Sequence, residues 1–224
     1  MATEAQLLLA PSPDKLEETG LPQGWQPLRF QNIAAQTEYT VGLDGDGYAL
    51  KAVSEASASG IYTEVDLDAQ EYPHLSWEWK VGNLIEQGDA TRKSGDDFPA
   101  RVVVAFSYQA DRAPLFKWIK YELTRLIYGR YPPGSVLVYV WDNRLPVETT
   151  LDAVHTAWAK VIVLESGPAK VGQWVTERRN FYADYRRAFG EDPTRLKFIG
   201  IMTDTDDTGE RAVAYFRKLS LESQ

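Results

Sequence analysis

Residues 204–210 read Asp-Thr-Asp-Asp-Thr-Gly-Glu, and the spacing of their oxygens suits chemistry. Asp204, Asp206 and Thr208 stand at alternate positions before Gly209, which matches the first half of a calcium loop. There, side-chain oxygens converge on a hard cation and glycine permits a sharp bend. The second half is absent: a complete loop wants a two-oxygen carboxylate where this chain has Tyr215. A metal-free turn joining two strands is the preferred reading, since Asp and Gly tolerate turn geometry. A structural calcium completed from elsewhere in the chain and a substrate site are the alternatives. Asp204, Asp206, Asp207 and Glu210 would repel one another unless a cation lies close by. Arg or Lys would serve as well as a metal.

A second set of residues could hold a polar ligand. Asp96 and Asp97 precede Arg101 at the opening of an apolar run, a spacing that suits an internal Asp–Arg ion pair pinning a loop. Trp141 and Asn143 stand at the end of another run. Glu165, Trp174, Arg178 and Arg179 follow on the next pair. Aromatic rings backed by polar groups at strand ends are what a shallow cleft needs to stack on a sugar and bond its hydroxyls. Asp97, Arg101, Trp141, Asn143, Glu165, Trp174, Arg178 and Arg179 are therefore the expected ligand-binding set, for a carbohydrate or another polar cell-envelope ligand. The same residue types allow a glycoside-cleaving enzyme using Asp97, Glu165 and Asp204. Such an enzyme needs two carboxyls about 5–5.5 Å or about 6.5–9.5 Å apart. A structural or partner-binding domain is the third possibility. His74 and His155 read as solvated surface residues, and Trp77, Trp79 and Trp118 fall in apolar registers that suit a core.

These residues are carried by segments whose dominant period is two. In His74–Val81 the apolar Leu75, Trp77, Trp79 and Val81 alternate with His74, Ser76, Glu78 and Lys80, the pattern of a half-buried strand. About eleven such runs, divided by Gly, Pro and Asp turn signals, predict an antiparallel β-sandwich of jelly-roll type. Two segments break the rhythm and predict inserted helices. Residues 113–129 carry apolar positions at helical spacing between Pro114 and Gly129. Residues 180–190 run from an Asn180 cap to Gly190 with Phe181, Tyr185, Ala188 and Phe189 on one face. Residues 1–20 read as a loose arm and 21–224 as a single β-sandwich domain.

With 44% hydrophobic residues in 224, the chain can build a substantial core. Its net charge of −8 disfavours nucleic acid and anionic membranes as partners. The absence of cysteine excludes disulfides, thiolate metal sites and cysteine nucleophiles. No run approaches the length of a membrane helix, and the first residues lack the pattern of a secretory signal. No nucleotide-binding glycine motif or nucleophile elbow occurs.

The ordered set SWEWKV, GDDFPARVVVAF, YPPG, VYVWDNR, VLESG, GQWVTERRNFYADYRRAFGED and GIMTDTDDTGERAVAYF resembles a bacterial family known as domain of unknown function 3047. The resemblance runs from about Leu21 to about Leu221 and implies no activity. It favours a periplasmic or extracellular setting. More distantly, the strand order is similar to that of galactose-binding-like jelly rolls, a fold that includes many carbohydrate-binding modules.

Overall fold

Strand alternation and turn chemistry translate directly into ladders. The structure, a computed structural model, describes residues 5–30, 33–107, 134–156 and 158–223. The strands among these residues are β1 (Ala5–Leu9), β2 (Gln26–Arg29), β3 (Glu38–Asp44), β4 (Gly47–Glu55), β5 (Ala58–Glu64), β6 (His74–Val81), β7 (Ala100–Phe106), β8 (Ser135–Asp142), β9 (Thr150–Asp152), β10 (Ala159–Ser166), β11 (Val175–Asn180), β12 (Leu196–Asp204) and β13 (Arg211–Glu222). One helix, α1 (Phe181–Phe189), accompanies them. The first sheet has the order β11-β6-β13-β4-β3, with β1 also paired to β13, and the second has the order β2-β5-β12-β7-β8-β10-β9. The chain is thus a β-sandwich, as its alternation predicts. The pair β8–β10 runs parallel, a departure from the antiparallel expectation. Alternation says which face a side chain takes but not which way the neighbouring strand runs.

The inner faces meet through aromatic rings. Leu75, Trp77, Trp79 and Val81 of β6 are all buried, and the burial of β6 alternates along its whole length. Across the gap, the Tyr139 ring centroid lies 5.5 Å from that of Trp77, and Trp141 lies 6.0 Å from Trp79. Trp77 and Trp79 themselves pack edge to face at 5.5 Å, the arrangement the ring quadrupole favours. A second, smaller cluster of Phe98, Val138, Val140, Val161 and Val163 covers the other face of β8 and β10. Burial on both faces explains why these two strands read as near-continuous apolar runs.

Helix α1 starts where Asn180 Oδ1 accepts the Ala183 N–H at 2.8 Å and stops at Gly190, whose φ of 76° is left-handed. Phe181 and Tyr185 bury its inner face. The helix expected over 113–129 lies outside the described residues. Residues 5–9, within the stretch read as an arm, form β1 against the end of β13, with Leu9 buried. The acidic segment after Asp204 carries the chain from β12 in the second sheet to β13 in the first, so it bridges the layers. No helix among the described residues is long and apolar enough to cross a membrane.

Because Trp79 fills the centre of the gap between the sheets, Trp79→Ala is expected to lower stability by about 3–5 kcal/mol in urea titration. A loss under 1 kcal/mol would contradict the packing described.

Candidate functional site

Three groups of polar side chains stand out, and the first is the acidic segment. Asp204 ends β12 and Arg101 begins β7, two strands paired in the second sheet. Arg101 is 9% exposed and grips Asp204 with two nitrogens: Nε meets Oδ1 at 2.7 Å and a terminal nitrogen meets Oδ2. The same terminal nitrogen donates to the Asp96 carbonyl, and the guanidinium lies 4.4 Å from the centroid of the Phe98 ring. Asp97 takes a different part. It accepts the N–H groups of Asp207 at 3.3 Å and Thr208 at 2.6 Å and so shapes the turn. His155 Nε2 is exposed and lies 3.4 Å from Asp207 and 3.6 Å from Asp96. Gly209, with φ of 72°, closes the turn by donating to the Thr205 carbonyl at 2.9 Å.

The counter-charge demanded by the carboxylates is therefore an arginine. Burial raises the Asp204 carboxyl above the ordinary carboxylate range, and Arg101 opposes that rise. Burial likewise raises Asp96 and Asp206. Asp97, Asp204 and Asp206 can each bring one oxygen to within 4.8 Å of the others, so these three could hold a metal. Beside them, the Thr208 hydroxyl accepts the Glu210 N–H at 3.4 Å. Both Asp204 oxygens already face Arg101, so a cation would have to compete with a buried ion pair.

The second group lies on the solvent-facing side of the first sheet. Since Trp79 points inward, its neighbours Glu78 and Lys80 point outward. Lys80 is paired across the ladder with Tyr215 of β13, and Tyr215 with Lys51 of β4, which in turn faces Thr40 of β3. Trp174, one residue before β11, extends this row at its far end. Its indole N–H donates to Asp44 Oδ2 at 2.9 Å, and Lys80 pairs with the same carboxylate. Lys80 Nζ lies 4.4 Å from the Tyr215 ring centroid and 5.3 Å from that of Trp174. The Arg217 guanidinium lies 4.1 Å from the Trp174 ring and is held by Glu78 at 2.6 Å and Asp46 at 2.9 Å. Burial works against ionising Glu78, but Lys218 and Arg217 outweigh it and hold the carboxyl below the usual range. Further along the same face, Arg178 donates to Glu222 at 2.9 Å.

The third group sits where β11 forms the rim of the first sheet. Glu177 is paired in register with Trp77, and its Oε1 is buried without a hydrogen-bond partner among the described residues. Burial, reinforced by the Glu165 charge, pushes its carboxyl up to about 7. The Trp79 indole N–H lies near enough to favour the ionised form, yet makes no well-aligned bond. Glu165 is held by Lys170 at 2.5 Å. Arg179 faces Asp184 at 3.0 Å and Glu148 at 2.5 Å, and Asp184 also accepts the Tyr139 hydroxyl at 2.8 Å.

The residues singled out from sequence are thus divided. Asp97, Arg101, Asp204 and Asp206 come together at the acidic segment, with Thr208 beside them. Trp174 and Arg178 share the outer face of the first sheet. Glu165 and Arg179 belong to the rim beside β11. Trp141 is wholly buried; its indole N–H donates to the Gly167 carbonyl at 3.3 Å, and it offers no ring face to solvent. Asn143 pins a neighbouring loop through the carbonyls of Ile85 and Gly88. Arg101 pairs with Asp204 and Asp96, whereas the Asp97 carboxylate caps backbone. Sequence reasoning did not single out Lys51, Asp44, Lys80, Tyr215 and Arg217. Their alternation with buried neighbours signals an outward face, but their alignment depends on strand register.

Removing one partner of the buried pair leaves the other charge uncompensated. Arg101→Leu is expected to cost about 3–5 kcal/mol in urea titration. Adding Asp204→Leu should recover part of that loss, and a double variant worse than the single would contradict the pairing. Glu177 gives a pH signature. The folded state holds its proton more tightly than the unfolded chain, so this group lowers stability as pH rises from the ordinary carboxylate range through about 7. Glu177→Gln should match the parent at pH 4 and exceed it at pH 8, by up to about 3 kcal/mol, in thermal unfolding followed across pH.

The fold is similar to that of the family 11 carbohydrate-binding module of the cellulosomal cellulase Lic26A-Cel5E of Clostridium thermocellum. That match has 10% identity and a TM-score of 0.50, covering 100% of this chain and 97% of that one. A family 11 module from Clostridium thermocellum in complex with a β-1,3-1,4-mixed-linked tetrasaccharide is similar at 11% identity and a TM-score of 0.47, covering 99% and 96%. The family 30 module of the cellulosomal cellulase Cel9D-Cel44B of Clostridium thermocellum is similar at 10% identity and a TM-score of 0.42, covering 89% and 94%. No curated protein matches the chain. The profile of the family described as "Protein of unknown function (DUF3047)" matches residues 23–220, and the chain belongs to that family.

Proposed function

We propose that this protein is a non-catalytic domain that binds a carbohydrate or a related polar cell-envelope ligand on the outer face of the first sheet, in a periplasmic or extracellular setting. One observation carries the reading: Trp174 and Tyr215 lie in a single outward row with Lys80 between them, framed by Asp44, Glu78 and Arg217. Sugar rings stack on flat aromatic surfaces while their hydroxyls take hydrogen bonds from charged neighbours. The ion pairs hold the aromatic groups in place before a ligand arrives, which reduces the ordering cost of binding. The fold shared with a carbohydrate-binding module sets the class of ligand to try first; a shared fold alone does not assign it.

A structural calcium at Asp97, Asp204 and Asp206 is the second reading, supported by their converging oxygens. Three oxygens are half or less of the six to eight that calcium takes. If it binds, added calcium raises the melting temperature and Asp206→Asn removes that rise; an unchanged melting temperature in millimolar calcium excludes it.

A glycan array followed by calorimetry with the strongest hit tests the main reading. Trp174→Ala and Tyr215→Ala should each weaken that binding by about ten-fold or more while circular dichroism is unchanged. No glycan bound, or binding indifferent to both substitutions, overturns the assignment to this face.

A further inference from the structure

Among the described residues, some cations of the outer face are not neutralised by its own carboxylates, and Lys51 is the one the ladder sets directly beside the aromatic row. Lys80 is paired with Asp44, Arg217 with Glu78 and Asp46, Lys218 with Glu78, and Arg178 with Glu222. Lys51 is different. It sits in β4 between Tyr215 on one side and Thr40 on the other, and it makes no side-chain hydrogen bond or ion pair among the described residues. It is half-buried, and the ladder sets it directly beside Tyr215 of the aromatic row. The nearest acidic residue on the adjoining strand, Glu38, is exposed and forms no ion pair with it.

We infer that Lys51 is the charge-recognising residue of this face and that the ligand is an anionic saccharide, one whose sugar ring meets Tyr215 and Trp174 while its acidic group meets the ammonium. The inference rests on the carbohydrate-binding reading above and narrows it to a ligand class. The chemistry is specific. An ammonium that lacks a partner is free to take a carboxylate or sulfate through a charge-assisted hydrogen bond, which is stronger than a neutral one. The chain as a whole carries −8, which repels an acidic glycan at long range. Selection of such a ligand therefore depends on a local cation close enough to touch it, and Lys51, unpaired among the described residues and opposite Tyr215 in the ladder, is placed to provide it. Thr40 supplies a hydroxyl in the same row, suited to a neighbouring sugar oxygen.

The test compares three tetrasaccharide probes by calorimetry on the full chain: a galacturonate, a sulfated glycosaminoglycan fragment and neutral cellotetraose. The parent should bind one or both anionic probes about ten-fold more tightly than the neutral one, with an affinity that falls as salt rises from 50 to 300 mM. Lys51→Met keeps the stem and should erase that preference and its salt dependence, while Lys51→Arg should retain most of both. Preference for the galacturonate identifies a uronate ligand, and preference for the sulfated probe identifies a sulfated one; each supports the inference. Equal or tighter binding of cellotetraose, lost in Trp174→Ala, overturns the inference and leaves the sheet-face reading intact. If none of the three probes binds and no glycan binds on the array, both fall together.

Discussion

The aromatic contact between the two sheets governs the rest of the molecule. Trp77 and Trp79 from β6 meet Tyr139 and Trp141 from β8, with ring centroids between 5.5 and 6.0 Å apart across the gap. Their area supplies much of the apolar burial, but their directions matter as much. Once Trp79 is held inward, Glu78 and Lys80 are committed outward, and pairing with β13 places Tyr215 and Arg217 beside them. The candidate ligand face is thus the outer surface of the contact that holds the core. The contact has a cost as well: the indole nitrogens of Trp77 and Trp79 are buried without partners among the described residues. Packing of large rings offsets it.

Strand β13 passes the constraint across the first sheet, since it pairs with β1, β4 and β6. Its ladder to β6 shifts between Arg217 and Ser220, where Lys218 takes a left-handed φ of 53°. A bulge of this kind breaks strict alternation and lets consecutive residues reach the same partner. Arg217 and Lys218 both bind Glu78 as a result. The bulge therefore helps anchor the guanidinium that lies against Trp174.

Charge is handled in two ways at two places. On the outer face the ion pairs are partly exposed and individually weak, and their role is positional. At the crossing between the sheets, Arg101 and Asp204 are withdrawn from water, and each makes the other tolerable there. Asp97 adds a third device by capping backbone N–H groups of the turn. An acidic cluster that resembles half a calcium loop thus also serves as a structural joint.

The sandwich, the inward face of β6 and both ends of α1 follow from the sequence alone. Each depends on neighbours a few residues apart: the period of two, the Asn180 cap and the left-handed Gly190 stop. The need for a cation beside Asp204 was legible too, because crowded carboxylates require one whatever the fold. Its identity was not, since Arg101 is distant in sequence and reaches Asp204 only through the pairing of β7 with β12. Trp141 shows the same limit: its place at a strand end suited a ligand cleft, but the cover on both faces of β8 buries it. The row from Trp174 to Thr40 draws on β11's approach, β6, β13, β4 and β3, and only register aligns it. Local spacing decides which side of a strand a residue takes; which residues become neighbours is decided by long-range hydrogen bonding and packing, and those exist only in the folded chain.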